Sequence, residues 1–320
     1  MVLKLIKDIN LFCEIAEKEI GVFGSKKWLS VYGNKLTVVG IYKDEHQLIG
    51  GFYFMKTKKY GFSFAKLPPY SPNCGLFFIS ESKNKSSLNN FSKEVISEVC
   101  DYFTKNKSAL YVLAFPSEII DLQPFIWAKY KVIPNYTYRI DLLKSLEDIK
   151  SDFDPKNRNA INKAIKEDVT IFENFLDPKE LFTFFMSSLS TTGANIYEDE
   201  LKNIFLKFSD SLNSFSLQAI KNKEILGSVF CIYDKNNCYY LLGGINKTAG
   251  IQGINNILVQ KSIEKAKELG CKTFDFEGSM IKGVEKFFRS FGPELIPYYT
   301  VNKAKLPIEL LLKFKKRELF

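Results

Sequence analysis

The chain has 320 residues, 46% hydrophobic and 25% charged, so a sizeable core can form and, at roughly 100–200 residues per domain, two domains fit. Forty-five Lys and Arg against 36 Asp and Glu leave a net charge of +9, which favours an anionic partner: phosphate, nucleic acid or an acidic membrane surface. A single histidine, His46, excludes His-rich zinc sites and makes any Ser/His/Asp or Cys/His triad depend on one turn residue, and no apolar run approaches the roughly 18 residues of a membrane span.

Residues 1–8 hold no apolar stretch and cleavage site of the secretory kind, so the cytoplasm is the expected location. The six cysteines are scattered with no C-x-x-C, as reduced core thiols would be. A charged turn at 43–46 leads into a strand at 48–54, and a second strand at 60–65 makes a hairpin with it. The proline-rich run 67–75, which contains Tyr70, follows, and then an apolar strand at 110–115. Ile133-Pro134-Asn135-Tyr136-Thr137 opens a last strand that ends at Asp141.

The same order then returns. Ile296-Pro297-Tyr298-Tyr299-Thr300 repeats the 133–137 pentapeptide at a shift of 163, Phe288 repeats Phe125, and 225–231 resembles 48–54 at a shift of 177. Each copy reads β-β-α-β-α-β, which gives an α/β fold with a mixed sheet. The polar segment 144–154 sets the expected boundary, with domains at 1–145 and 146–320. Asp154-Pro155 starts a helix whose Ala160, Ile161, Ala164 and Ile165 form one face; Lys156, Asn159, Lys163 and Lys166 line the other, as a solvated face or as an anion-facing stripe. In the second copy a helix carries Val259, Ile263, Ala266 and Leu269 at helical spacing and ends at Gly270; a strand at 272–277, a short helix at 284–289 and a strand at 295–301 follow.

Neither G-x-x-x-x-G-K-[ST] nor a strand followed by G-x-G-x-x-G occurs, so P-loop hydrolysis and Rossmann redox chemistry lose their usual support. The glycine-containing loop at 241–256 runs from a strand into a helix, where free N–H groups, the helix dipole and Lys247 favour a phosphate. Its candidate donor-binding residues are Lys247, Gly250, Gln252, Gly253 and Asn255, and a bulky residue at Gly253 is expected to weaken donor binding with little loss of fold. Glycines also serve ordinary strand-to-helix turns.

With period two, Asp275 and Glu277 share a face near the end of their strand, where they can take a proton from an amine. They can equally cap backbone at 279–280 or pair with Lys286 and Arg289. Tyr240 and Tyr299 are the expected partners closing that face, and Phe287 and Phe291 are expected in the core. Near the C-terminus, Lys303, Lys305, Lys313, Lys315, Lys316 and Arg317 outnumber Glu309 and Glu318. Ile308, Leu311, Leu312 and Phe314 there read as a docking helix, with membrane-surface attraction as the other reading.

The succession of the glycine loop, Leu-Gly-Cys-Lys-Thr-Phe-Asp-Phe-Glu-Gly-Ser at 269–279 and Phe-Phe-Arg-Ser-Phe-Gly at 287–292, with Arg158-Asn159-Ala160-Ile161-Asn162-Lys163-Ala164 upstream, resembles the FemAB-like proteins. The resemblance implies two tandem GNAT-like domains with mixed, largely antiparallel sheets flanked by helices, the first serving the acceptor and the second the donor. It implies an N-acyltransferase that joins an activated acyl group to an amine, for which Asp275, Glu277, Tyr240 and Tyr299 are the catalytic candidates on the strand pattern above. Arg158, Lys163, Lys286, Arg289 and Tyr70 are the substrate-binding candidates. The cosubstrate is acyl-CoA or aminoacyl-tRNA, with no metal and no tightly bound cofactor. The acceptor is a small-molecule or lipid- or nucleotide-linked amine, such as a cell-envelope precursor; tRNA and peripheral membrane contact are further partners. The alternatives are an aminoacyl-tRNA-dependent ligase acting on a cell-wall precursor and a catalytically inactive GNAT-like binding module.

Overall fold

The computed structural model describes every residue except 60, 191–194, 279 and 316–320. The chain forms two compact units, Met1–Asn135 with Pro297–Phe320, and Tyr136–Ile296. The division thus falls at two points, Asn135/Tyr136 and Ile296/Pro297, where the expectation had one near residue 145.

The first unit contains β1 (Val2–Leu5), α1 (Asn10–Ile20), α2 (Lys26–Leu29), β2 (Leu36–Tyr42), β3 (Leu48–Lys59), β4 (Phe62–Lys66), β5 (Phe77–Phe78), α3 (Lys85–Lys105), β6 (Leu110–Ala114) and α4 (Gln123–Trp127). Strand β7 (Lys131–Asp141) carries the chain into the second unit. There follow α5 (Leu146–Ser151), α6 (Pro155–Lys166), β8 (Thr170–Glu173), α7 (Pro178–Ser190), α8 (Glu198–Lys207), β9 (Ser214–Lys221), β10 (Glu224–Tyr233), β11 (Asn237–Ile245), α9 (Ile254–Glu268), β12 (Thr273–Asp275) and α10 (Lys282–Arg289). Strand β13 (Glu294–Ala304) returns to the first unit, and α11 (Leu306–Lys315) follows it.

The strands of the two units follow one plan. In the first unit β1, β2, β3 and β4 run antiparallel, β4 is parallel to β6, and β13 adds antiparallel to β6 from Thr300↔Ala114 to Ala304↔Leu110. In the second, β8, β9, β10 and β11 run antiparallel, β11 is parallel to β12, and β7 adds antiparallel to β12 from Arg139↔Asp275 to Asp141↔Thr273. The repeated order is as the 163-residue shift requires, but the closing strands are exchanged. The strand that ends the first copy closes the second unit's sheet, and the reverse holds for β13.

Local chemistry explains the elements. Asp154 caps α6 by accepting from Lys156 N at 2.7 Å, with Pro155 in the first turn. Its buried face is Asn157, Ile161 and Ala164; Ile165, expected there, is exposed, because the Asn157 side chain turns inward to donate to Ser290 O at 3.0 Å. Helix α9 buries Ile254, Ile257, Leu258, Ile263 and Ala266, and Gly270 closes it at φ 81°, a left-handed angle that only glycine adopts at little cost. The second unit's core joins these residues to Phe274, Phe276, Phe288 and Phe291, with the rings of Phe276 and Phe288 4.6 Å apart. The first unit has its own core around Phe52, Phe54, Phe103, Phe115 and Phe125. All six cysteines are buried and free, and His46 is an exposed turn residue whose N–H donates to Asp44 Oδ1. No helix among the described residues is long and apolar enough to cross a membrane.

Candidate active site

Strands β11 and β12 pair at only three positions, Asn237↔Thr273 to Tyr239↔Asp275. Beyond them β12 stops, while β11 continues to Ile245 with β10 on its other side. The β10/β11 register slips between Phe230 and Cys231, leaving Leu241 as an extra residue on β11. Such a bulge strengthens local twist and turns a strand away from its neighbour. The carboxyl end of this parallel pair is therefore forked, the position at which open α/β sheets bind ligands.

The loop to α9 sits at that end. Asn246 accepts from Thr248 N and Thr248 Oγ1 at 3.1 and 2.6 Å, and Gly250 and Gly253 are left-handed at φ 67° and 85°. No side chain caps α9, so its first-turn N–H groups and dipole point into the loop. Lys247 and Gln252 are exposed there. Asn255 Oδ1 is buried with no hydrogen-bond partner among the described residues, an acceptor available for a ligand. Gly253 differs from the expectation: a Cβ there would run into the Ala160 carbonyl of α6, so a bulky residue would push α6 and α9 apart.

The first unit has the same fork, and it is filled. Its parallel pair spans Phe64↔Leu110 to Lys66↔Val112, after which Leu67 N donates to Val112 O and Cys74 N donates to Ala114 O at 2.9 Å. Cys74 O accepts from Tyr53 N at 2.9 Å, and β5 pairs with β3 at Gly50 and Gly51, where any Cβ would clash. The 67–78 segment, on which Tyr70 lies, thus fills the first unit's fork, and among the described residues no segment bonds between β11 and β12 in that way.

At the base of the open fork is a carboxylate pair. Asp275, its side chain 7% exposed, accepts from Arg139 Nε at 2.7 Å through Oδ2, and from Thr137 Oγ1 at 2.6 Å and Glu277 N at 2.8 Å through Oδ1. Both of its oxygens are engaged, an arrangement that suits an anchor. Glu277 does not continue the strand: β12 has ended, and Glu277 is left-handed at φ 63°, a strained angle for a residue with a side chain. The shared face expected from period two is lost there. Glu277 Oε1 is buried and has no hydrogen-bond partner among the described residues. Desolvation first, and then the charge of Asp275, hold its carboxyl well above the ordinary carboxylate range against the opposing pull of Arg139.

The other candidates lie elsewhere. The register pairs Tyr239 with Asp275 and Cys238 with Phe274, so Tyr240 falls on the opposite face, in the core beside Phe276 and Phe288. Its hydroxyl takes the space a Cβ on Gly243 would need. Tyr299 packs on the core of the first unit. Arg289 pairs with Glu285 at 2.7 Å and not with Asp275 or Glu277; Glu285 also accepts from Tyr138 at 2.9 Å, and these bonds lower its carboxyl. Lys286 and Lys163 are exposed, and Arg158 Nη1 donates to the carbonyls of Ser151 and Phe153 at 2.9 and 2.6 Å. The 279 half of the backbone-capping alternative lies outside the described residues. Sequence reasoning missed Thr137, Arg139 and Tyr239. The last was one residue away from the choice made; the first two carried no signal, because they come from the other copy's final strand.

Residues 191–289 match the family model described as Acetyltransferase (GNAT) domain. This segment is a GNAT domain. No curated protein matches the chain by sequence. Among solved structures the fold is similar to FemX at 13% identity and a TM-score of 0.66, over 98% of this chain and 100% of that one. It is similar to L-PGS from Bacillus licheniformis at 13% identity and 0.57 over 96% of each chain. It also resembles a tandem GNAT protein from the clavulanic acid biosynthesis pathway, at 10% identity and 0.55 over 94% of this chain and 98% of that one. The chain has the FemAB-like, tandem GNAT fold, and its GNAT domain makes it an acyltransferase. The forked strands, the loop and Glu277 all fall within or next to the matched GNAT segment.

Proposed function

We propose that the second unit transfers an acyl group from a thioester donor such as acyl-CoA to an amine, forming an amide, with Glu277 taking the amine proton. The observation that carries this reading is Glu277 Oε1, buried, unpartnered among the described residues and held above the carboxylate range at the base of the fork. A carboxylate with a raised proton affinity is, once ionised, a stronger base than an ordinary one. The amine nitrogen attacks the thioester carbonyl, the C–N bond forms, the C–S bond breaks, and the departing thiolate takes up a proton. Residues 246–256 suit the donor's phosphates, with Lys247, the Gly250 turn and the α9 N-terminus as ligands and Asn255 Oδ1 as an acceptor. The filled fork of the first unit fits it for the acceptor side. Direct transfer of this kind asks the protein for orientation, a proton route and oxyanion donors, and needs no histidine. Nothing in the comparisons supports aminoacyl-tRNA as the donor.

The test mixes purified full-length protein with acyl-CoAs and a panel of amines, from small molecules to lipid- and nucleotide-linked cell-envelope precursors, and follows thiol release. Turnover that Glu277→Gln removes is the expected result. Thermal shifts with no acyl thioester, and no thiol released, would overturn the reading.

A further inference from the structure

The first unit carries a surface that acyl transfer does not use. At one end of its sheet Lys58 stands opposite Ser63, Ala109 N donates to Ser63 O at 2.7 Å, and Lys305 N donates to Ala109 O at 2.9 Å. This row of bonds brings together the β3–β4 hairpin, the turn after α3 and the start of α11. Lys58, Lys107 and Lys305 are exposed there, as is Phe62 on the hairpin. Along α11, Leu306, Leu310 and Phe314 recur every four residues with Leu311 beside them; they are 72%, 51%, 89% and 54% exposed. Ile308 and Leu312, on the remaining side, are half-buried, so only some of the expected docking face is used within the chain.

We propose that this end of the first unit docks on an anionic lipid surface. Leu306, Leu310, Leu311 and Phe314 enter the acyl-chain boundary while Lys58, Lys107 and Lys305 meet the headgroup phosphates. A helix with an apolar stripe beside cations lies in a membrane interface in this manner. Each basic residue near an anionic bilayer raises affinity about fivefold, from about 1 kcal/mol. Nucleic acid would offer phosphates to the lysines but nothing to four exposed apolar side chains, and lipid satisfies both.

The experiment is cosedimentation of the full-length protein with vesicles of phosphatidylglycerol and phosphatidylcholine, against phosphatidylcholine alone, at low and high salt. The expected result is salt-sensitive binding that requires phosphatidylglycerol. It falls at least tenfold in Leu310→Ser/Phe314→Ser and several-fold in Lys58→Gln/Lys107→Gln, with wild-type circular dichroism throughout. Absence of binding to the anionic vesicles, or unchanged binding by the Leu310/Phe314 variant, would overturn the proposal. So would a structured RNA that binds wild type and that variant equally while vesicles do not bind. None of these readouts depends on transfer activity.

Discussion

The backbone N–H of Glu277 and the hydroxyl of Thr137 share one acceptor, Asp275 Oδ1, at 2.8 and 2.6 Å. That bond holds the chain reversal after β12 and sets the Glu277 carboxyl beside the charge of Asp275. On the proposed reading the two carboxylates divide the work, Asp275 as a fixed support and Glu277 as the group whose proton moves.

Glu277→Gln keeps the shape and removes the proton acceptor. Transfer should fall about 100-fold or more. The raised folded-state value means that the folded protein binds this proton more tightly than the unfolded chain does. The resulting stability is fully present below the ordinary carboxylate value of about 4.3 and is lost as pH rises through the folded value. The melting temperature of Glu277→Gln should thus gain on wild type as pH rises from about 4.3 toward the folded value; a difference that stays constant with pH would contradict the assignment.

Asp275→Asn leaves Arg139, itself 32% exposed, without its counter-charge. Urea unfolding should show a loss of about 2–3 kcal/mol, partly recovered in Asp275→Asn/Arg139→Gln. Because the charge of Asp275 raises Glu277, the acid limb of the pH–rate profile should move to lower pH in any turnover that remains.

Two glycines of the loop separate folding from binding. At Gly253 both the left-handed angle and the Ala160 carbonyl oppose a side chain, and Gly253→Ala should cost about 2–3 kcal/mol. Gly250 has the same sign of φ but open space around it, so Gly250→Ala should cost about 1 kcal/mol. If the loop holds the donor, Gly250→Ala raises the donor KM in a protein that melts near the wild-type temperature.

Burial pushes the thiols of Cys13 and Cys271 up to about 11 and that of Cys74 up to about 12. Thiolate is the reactive form, so iodoacetamide at about pH 8 should leave activity intact. If the amine attacks the thioester directly, as proposed, mass spectrometry after donor alone should show no acylated cysteine.

The copies, their element order and the forked strand-to-helix loop were legible because repeats and apolar periodicity survive in a single sequence. Pairing was not. Tyr240 was chosen for the face that Tyr239 occupies, and a strand shifted by one residue sends its side chains to the other side of the sheet. Alternation also ends where a strand ends, so Glu277 could not be placed by counting from Asp275. The Arg139–Asp275 pair joins residues 136 positions apart, and no local pattern links them. The exchange of β7 and β13 is equally silent, since the two strands carry similar pentapeptides at 133–137 and 296–300.

That exchange has a consequence for how the protein is made. The edge of β6 in the first unit waits for Thr300–Ala304, a stretch synthesised only after the whole of the second unit. At about 5–20 residues per second, the amino-terminal sheet stays incomplete for about ten seconds or more after β6 emerges. An open strand edge over that interval invites pairing with other nascent chains, and a stop codon just ahead of β13 would harm the domain synthesised first.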